Sequence, residues 1–129
     1  MIAAVATVDG ILLVDADEEV VLGHGQELPE TAAPKVSLPR VVAAAAVGAT
    51  VVAVLDRRPP LAISADGGAT WREAGGGLPT GFAVAVAGDD PDRMLYAARN
   101  RLYLSTDGGM FWRSLAVELP DVVGLAWID

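Results

Sequence analysis

The chain has 129 residues, of which 53% are hydrophobic and 5% aromatic, so it can bury one core built mainly from Val, Ala, Leu and Ile. Its net charge of −8, from nine basic and 17 acidic residues, argues against a nucleic acid or an anionic membrane as the main partner. The absence of cysteine excludes disulfides and thiolate chemistry.

The N-terminal segment is predicted to form three strands, Ile2–Thr7, Ile11–Val14 and Glu19–Gly23, because each is a short apolar run bounded by turn-forming residues. This segment has no Lys or Arg and is interrupted by Asp9, which argues against a secretory signal. No apolar run reaches the roughly 18–20 residues of a membrane span. We therefore expect a soluble, cytoplasmic protein.

A long connection over Gly23–Arg40 precedes the first complete set of four strands. The alanine run Ala43–Ala46 favours a helix by propensity, but the valines on both sides favour a strand. The four predicted strands are Val41–Val47, Thr50–Leu55, Leu61–Ser64 and Thr70–Glu73.

A second set of strands follows, and no stretch of the chain has a helical period. The predicted strands are Phe82–Ala87, Met94–Ala98, Leu102–Ser105 and Phe111–Leu115, with a last strand at Val122–Ile128.

These sets belong to an internal repeat of about 41 residues. The segment from Ser64 to Trp71 (SADGGATW) recurs from Ser105 to Trp112 (STDGGMFW). Three Leu-Pro pairs keep the same spacing and each precedes an apolar run; they begin at Leu38, Leu78 and Leu119. A repeat of 40–45 residues made of short strands is the size of one four-stranded propeller blade. The sequence therefore predicts an all-β propeller.

The repeat divides the chain into three blades. Blade 2 covers residues 37–76 and blade 3 covers 77–118, while blade 1 is split between residues 1–36 and 119–129. Three blades would each have to fill about 120° of a ring, whereas propellers carry 4–8 blades. We therefore predict a C2 homodimer of six blades, with each split blade completed by the partner's N-terminal strands. The alternative is that the chain is a fragment of a longer propeller.

The repeated string S-x-D-x-G-x-[TF]-W resembles the Asp-box (BNR) hairpin, and the segments Asp89–Ala97 and Leu102–Ser105 resemble the strands before it. Families with this hairpin include sialidases, xyloglucan-active glucanases, sortilin-type receptors and photosystem II assembly factors. The resemblance implies a fold, and it implies little about function, because the hairpin occurs with unrelated activities.

The residues of the box are predicted to have structural roles. The carboxylates of Asp66 and Asp107 can accept backbone N–H groups of their own turns. The glycines can adopt a positive φ, and the tryptophans can cover the hairpin. The set comprises Ser64, Asp66, Gly68, Trp71, Ser105, Asp107, Gly109 and Trp112. A metal site at the aspartates is an alternative, but we expect no metal and no cofactor. The acidic segment from Asp15 to Glu19 occupies the same place in blade 1, and we expect a solvated turn there, with weak cation binding as the alternative.

Catalytic residues are not predicted. A sialidase-like site would resemble three arginines around a carboxylate, yet none of the eight arginines lies in that family's N-terminal Arg-Ile-Pro motif. Tyr96 and Tyr103 lie within strands, where packing is the expected role. Asp9 and Asp56 fall on loops where a turn residue is expected, rather than the carboxylate pair of a glycosidase.

Ligands are expected at the end of the propeller that carries the connections between blades and the loops between the second and third strand of each blade. Five of the nine basic residues gather there, which suits an acidic protein or a small anionic ligand, although solvated arginines are the alternative. The candidate site residues are Arg40, Asp56, Arg57, Arg58, Arg99, Asn100 and Arg101. The long connection adds His24, Glu27, Glu30 and Lys35.

We therefore predict a non-catalytic binding or assembly module on a propeller scaffold. The alternative is a glycan-binding lectin or a glycoside hydrolase. Lectin propellers usually line their pockets with Trp and Tyr, and only Trp127 lies outside the boxes among the tryptophans.

Overall fold

The computed structural model describes residues 1–29 and 33–128, which form strands and no helix. Within these ranges, no helix is long and apolar enough to cross a membrane. The strands are β1 (Ile2–Thr7), β2 (Gly10–Asp15), β3 (Val20–His24), β4 (Val41–Val47), β5 (Thr50–Leu55), β6 (Leu61–Ser64), β7 (Arg72–Ala74), β8 (Ala83–Val86), β9 (Met94–Ala97), β10 (Leu102–Ser105), β11 (Arg113–Ser114) and β12 (Val122–Trp127).

The strands form three four-stranded antiparallel sheets in the orders β12-β1-β2-β3, β4-β5-β6-β7 and β8-β9-β10-β11. We keep the names blade 1, blade 2 and blade 3 for them. The strands are confirmed, and the largest differences are at β7 and β11, which begin two residues later than predicted. The preceding amides, those of Thr70 and Phe111, bond to box carboxylates instead of joining the sheet.

The alanine run lies in a strand, as predicted. Ala44 pairs with Ala53 and Ala45 with Val52 of β5, so both strands share an antiparallel ladder. Ala43 and Ala45 also pack against the core between blade 2 and blade 3. This packing of a strand face outweighs the helical preference of alanine.

Blade 1 is assembled from both ends of one chain. Ala4 of β1 pairs with Ala126 of β12, and Val5 pairs with Leu125. The split blade is therefore present, but the prediction that a partner supplies its other strands is wrong. The connection from β3 to β4 explains why: it comprises 16 residues (25–40), whereas the other two connections between blades comprise eight (75–82) and seven (115–121). A connection of this length can run from blade 1 to blade 2 although blade 3 lies between them.

Blade 3 lies between the other two blades. One core cluster joins it to blade 1, with Val5 and Val14 against Leu95 and Leu102. The other joins it to blade 2, with Val52 and Val54 among the residues packed with Met94 and Tyr96. The inner strand β8 contacts both β4 and β12, and among the described residues β4 and β12 do not contact each other. The three blades therefore form an open, propeller-like arc.

The long connection covers part of the outward face at each end of this arc. Leu28 lies over Gly124 of blade 1, where an added Cβ would be 2.9 Å from its Cδ1 atom. Val36 and Leu38 pack on blade 2 around Leu55. Val36, which the sequence assigned to blade 1, thus packs on blade 2.

Candidate functional site

The loops of the blades sort to two ends of the molecule. The β5–β6 and β9–β10 loops lie with the connections between blades at one end, which we call the loop end, and the turns that carry the boxes lie at the other. Two backbone hydrogen bonds link the parts of the loop end: Asp56 N donates to Arg40 O at 2.9 Å and Val122 N to Arg99 O at 2.7 Å. All seven candidate ligand-binding residues lie at this end.

The five arginines at the loop end differ in their pairing. Arg57 Nη1 lies 2.8 Å from Glu73 Oε2, and Arg99 Nε lies 3.2 Å from Asp121 Oδ1. Within the described part of the chain, the side chains of Arg40, Arg58 and Arg101 make neither an ion pair nor a hydrogen bond. These three cations are therefore available to an external group.

The other predicted residues do not converge on one point. Asp56 and Asn100 are exposed, and the carbonyl of Asn100 accepts the amide of Leu119 at 3.3 Å. Glu27 and Lys35 are exposed along the long connection, whereas His24, predicted to lie in it, is exposed at the end of β3, and Glu30 lies outside the described residues. Asp9 is a turn residue, as expected, because its amide donates to Thr7 Oγ1 at 3.2 Å.

A cleft of about 660 Å³ opens at the loop end between blade 2 and blade 3. Tyr103 is half-buried in its wall, and Arg58 is exposed at its rim. The other lining residues are Pro59, Pro60, Gly76, Gly77, Leu78 and Pro79. Arg58 alone among the candidate residues lines this cleft, and Tyr103, expected only to pack, lines it as well.

Tyr96 supports the cleft from behind. It is fully buried, and its hydroxyl donates to the carbonyl of Pro79 at 2.7 Å. Its ring meets that of Tyr103 edge to face, with 6.2 Å between the centroids. Burial raises the pKa of Tyr96, so its hydroxyl stays protonated and keeps donating. Tyr96 therefore has the packing role predicted for it, whereas Tyr103 reaches the surface.

The box of blade 2 is a hydrogen-bonded turn at the opposite end. Asp66 Oδ1 accepts the amide of Thr70 at 2.9 Å, and Asp66 Oδ2 accepts its hydroxyl at 2.5 Å. Ser64 Oγ donates to Asp66 Oδ1 at 2.7 Å and accepts the amide of Gly68 at 2.8 Å. The Thr70 hydroxyl and amide, followed by the Ser64 hydroxyl, lower the pKa of Asp66 to about 2. Gly67 and Gly68 have φ values of 73° and 97°, which a side chain would disfavour.

The box of blade 3 repeats this arrangement. Asp107 Oδ1 accepts the amide of Phe111 at 3.0 Å and the hydroxyl of Ser105 at 2.8 Å, and these bonds lower its pKa. Trp112 folds back over Gly109 and donates its indole N–H to the carbonyl of that residue at 3.0 Å. The boxes lie away from the cleft and hold hairpins in shape.

The acidic turn in blade 1 differs from the solvated turn that we expected. Asp17 pairs with the N-terminal amine of Met1 and with Arg93, and these contacts lower its pKa. Glu19 lies 2.9 Å from Arg113 and accepts the amide of Ala116 at 2.8 Å. The turn therefore bridges blade 1 to blade 3. Throughout the described ranges, no group of three or more His, Asp or Glu side chains could hold a metal ion.

A second concavity, of about 950 Å³, lies along the three inner strands β4, β8 and β12. Its lining is formed by aliphatic residues, two glycines, Phe82 and Trp127, together with Pro29 and Ala33 of the long connection. This surface faces the axis of the arc.

No family model matches the chain, and no curated protein matches it. Among solved structures, the chain is similar to the crystal structure of a GH74 enzyme from Niastella koreensis, with 27% sequence identity and a TM-score of 0.52. The match covers 92% of this chain but 18% of the enzyme, so the chain spans less than a fifth of its length. The three sheets and this similarity support a β-propeller-like fold.

Proposed function

We propose that the chain is a non-catalytic binding module whose ligand occupies the cleft at the loop end. The observation that carries the proposal is the guanidinium of Arg58, which has no acidic partner among the described residues and lies at the rim beside the half-buried ring of Tyr103. A ligand with an anionic group next to a flat apolar surface would engage both side chains.

The size of the cleft, the chemistry of the guanidinium and the charge of the chain support this assignment. A volume of about 660 Å³ is within the usual range for ligand clefts. A guanidinium forms short, charge-assisted hydrogen bonds to carboxylate or phosphate oxygens, which fixes the orientation of a ligand. The chain carries a net charge of −8, and the unpaired guanidinium groups at the loop end are cations that can attract an anionic ligand there.

The test is a titration followed by NMR, which suits a chain of 13.3 kDa. A hexaglutamate peptide serves as the anionic probe and a hexaglutamine peptide as the neutral control. We expect the glutamate peptide to shift the signals of Arg58 and Tyr103, and R58Q and Y103A to weaken its binding by about tenfold, which corresponds to about 1.4 kcal/mol.

The matched control is R113Q, which removes a guanidinium at the opposite end of the molecule. Equal binding of both peptides, or equal loss of affinity in R113Q and R58Q, would contradict a site at the cleft.

The second candidate is a glycan-binding or glycan-hydrolysing module, and the similarity to a GH74 enzyme, a glycoside hydrolase, favours it. Titration with cellohexaose under the same conditions separates the two. Shifts at Tyr103 without release of reducing ends would indicate a lectin, and release of reducing ends would contradict the non-catalytic assignment.

A further inference from the structure

We propose that a second copy of this chain closes the arc into a six-bladed ring, with β4 of one copy beside β12 of its partner, twice around a two-fold axis. The two ends of the arc then meet the two ends of the partner's arc. The concave surface of about 950 Å³ becomes half the wall of a central channel.

The inner strands themselves indicate that contacts are missing. β8 has a blade on each side, and all four of its residues are buried. β4 and β12 each have a blade on one side only, and they keep large apolar side chains exposed. Val42 is 48% exposed and Val41 36% in β4, while Val123 is 63% exposed in β12, and Ile128 directly after it is 43% exposed. Each chain thus lacks two flanking strands, one at each end of its arc.

The two incomplete faces are complementary in kind. Met94 and Tyr96 of blade 3 face blade 2. The equivalent residues of blade 2, 41 positions earlier, are Ala53 and Leu55, and they face away from blade 3. Blade 2 has no preceding blade, and Val36 and Leu38 of the long connection pack on these two residues instead. Blade 1 turns Ala3 and Val5 towards blade 3, so the alternate residue Ala4 points to the side where the next blade would pack. These sides of blade 1 and blade 2, which the long connection covers only in part through Leu28, Val36 and Leu38, are the two halves of one blade-to-blade contact, and a two-fold axis satisfies both halves at once.

Charge permits this contact. Each chain has a net charge of −8, which would oppose association through most of its surface. The segments 41–47 (VVAAAAV) and 122–128 (VVGLAWI) contain no charged residue. Exposed apolar strands at the ends of an arc also invite uncontrolled edge pairing, and a closed ring removes that hazard. Six blades fall within the usual range of 4–8.

The test uses the absence of cysteine in the natural chain. The single variants V42C and V123C, whose residues both lie near the loop end of their exposed inner strands, are mixed and treated with a short bismaleimide. We expect a covalent dimer from the mixture and little from either variant alone, because the two copies of each residue lie on opposite sides of the ring. The double variant V42C/V123C should stop at the dimer, whereas a ladder of larger species would indicate an open filament and overturn the ring.

Light scattering gives the independent readout. The wild-type chain should have about twice the mass of 13.3 kDa at concentrations of about 10–100 µM, and a monomer or a trimer would overturn the proposal. V42D and I128D should shift the mass towards that of a monomer with unchanged circular dichroism. F111D is the matched control, because Phe111 is 77% exposed on a box turn away from both end faces. Loss of the dimer in F111D alone would place the interface elsewhere, and if V42D fails to fold, the crosslinking result decides.

Discussion

Gly81 lies against the ring of Tyr96 so closely that an added Cβ would be 2.1 Å from the phenol oxygen. The ring cannot retreat easily, because it is fully buried, its hydroxyl bonds Pro79 and its edge contacts Trp112. This single residue therefore decides whether the wall of the loop-end cleft keeps its shape.

The change Gly81→Ala should lower the free energy of unfolding by about 1–3 kcal/mol, the usual cost of overpacking a core. Urea denaturation measures the effect. Gly76→Ala is the matched control, since an added Cβ there meets nothing within 4 Å. Combining Gly81→Ala with Tyr96→Leu should recover part of the loss; purely additive effects would contradict the proposed steric conflict.

The box carboxylates make the stability of the folded chain depend on pH. The pKa of Asp66 is lowered from 3.8 to about 2, so the folded state binds this proton less readily than the unfolded state. The stabilisation is complete above the unfolded pKa of about 3.8 and is lost as the pH falls through about 2. Melting temperatures between pH 5 and pH 2 should therefore fall less steeply in Asp66→Asn than in the wild type. Parallel curves would show that Asp66 does not contribute.

At the scale of the elements, two arginines tie neighbouring blades together in the same way. Arg72 directly follows the box of blade 2, and its Nη2 atom donates to Gly108 O in the box turn of blade 3 at 2.6 Å. Arg113, 41 residues later, reaches from blade 3 to Glu19 in the corresponding turn of blade 1. The repeat thus includes a contact between successive turns.

The last strand is as necessary as any in the core. Deleting residues 122–129 removes β12, the inner strand that pairs with β1 and packs Leu125 and Trp127 against the core. Val122 is buried and Leu125 and Trp127 are half-buried, and full burial of a side chain of this size contributes about 1.5–3 kcal/mol, so the deletion removes a large part of the stability of a small domain. The truncated chain should be insoluble, and a peptide of residues 122–129 added in trans should rescue part of it by strand addition.

Sedimentation after expression measures this outcome. The matched control is Val8→Ala, since Val8 is 64% exposed on the turn between β1 and β2 and its truncation should leave the yield of soluble protein unchanged. A truncated chain that remains soluble and folded would show that the pairing of β1 with β12 does not hold blade 1 together.

The strands were predictable because each is short, apolar and repeated, and because the box turns fix where the hairpins bend. The path of the chain between blades was not. The sequence contains a Leu-Pro pair beginning at Leu28 as well as the one beginning at Leu38, and each covers a different blade. Tyr96 and Tyr103 pair across strands, so their periodicity could not show that one would be buried and the other would border the cleft.

At the scale of the whole molecule, the arginines at the loop end and those at the box end differ in their pairing. The loop end carries Arg40, Arg58 and Arg101 without acidic partners in the described ranges, whereas the arginines at the box end are bonded to neighbouring turns. The order of the predicted strands was enough to place these loop arginines together at one end. Their pairing depends on side-chain reach, such as that between Arg57 and Glu73, which spacing alone does not reveal.

The pairing of β1 with β12 also sets an order of events during synthesis. Ala4 cannot form its strand pair until Ala126 has been synthesised. A ribosome that adds about 5–20 residues per second needs roughly 6–24 s to make the residues between them. Blade 2 and blade 3 have all their strands before β12 emerges, so both can form first. Throughout that interval β1 remains an open edge on an apolar sheet, which makes the nascent chain most vulnerable to aggregation before its final strand appears.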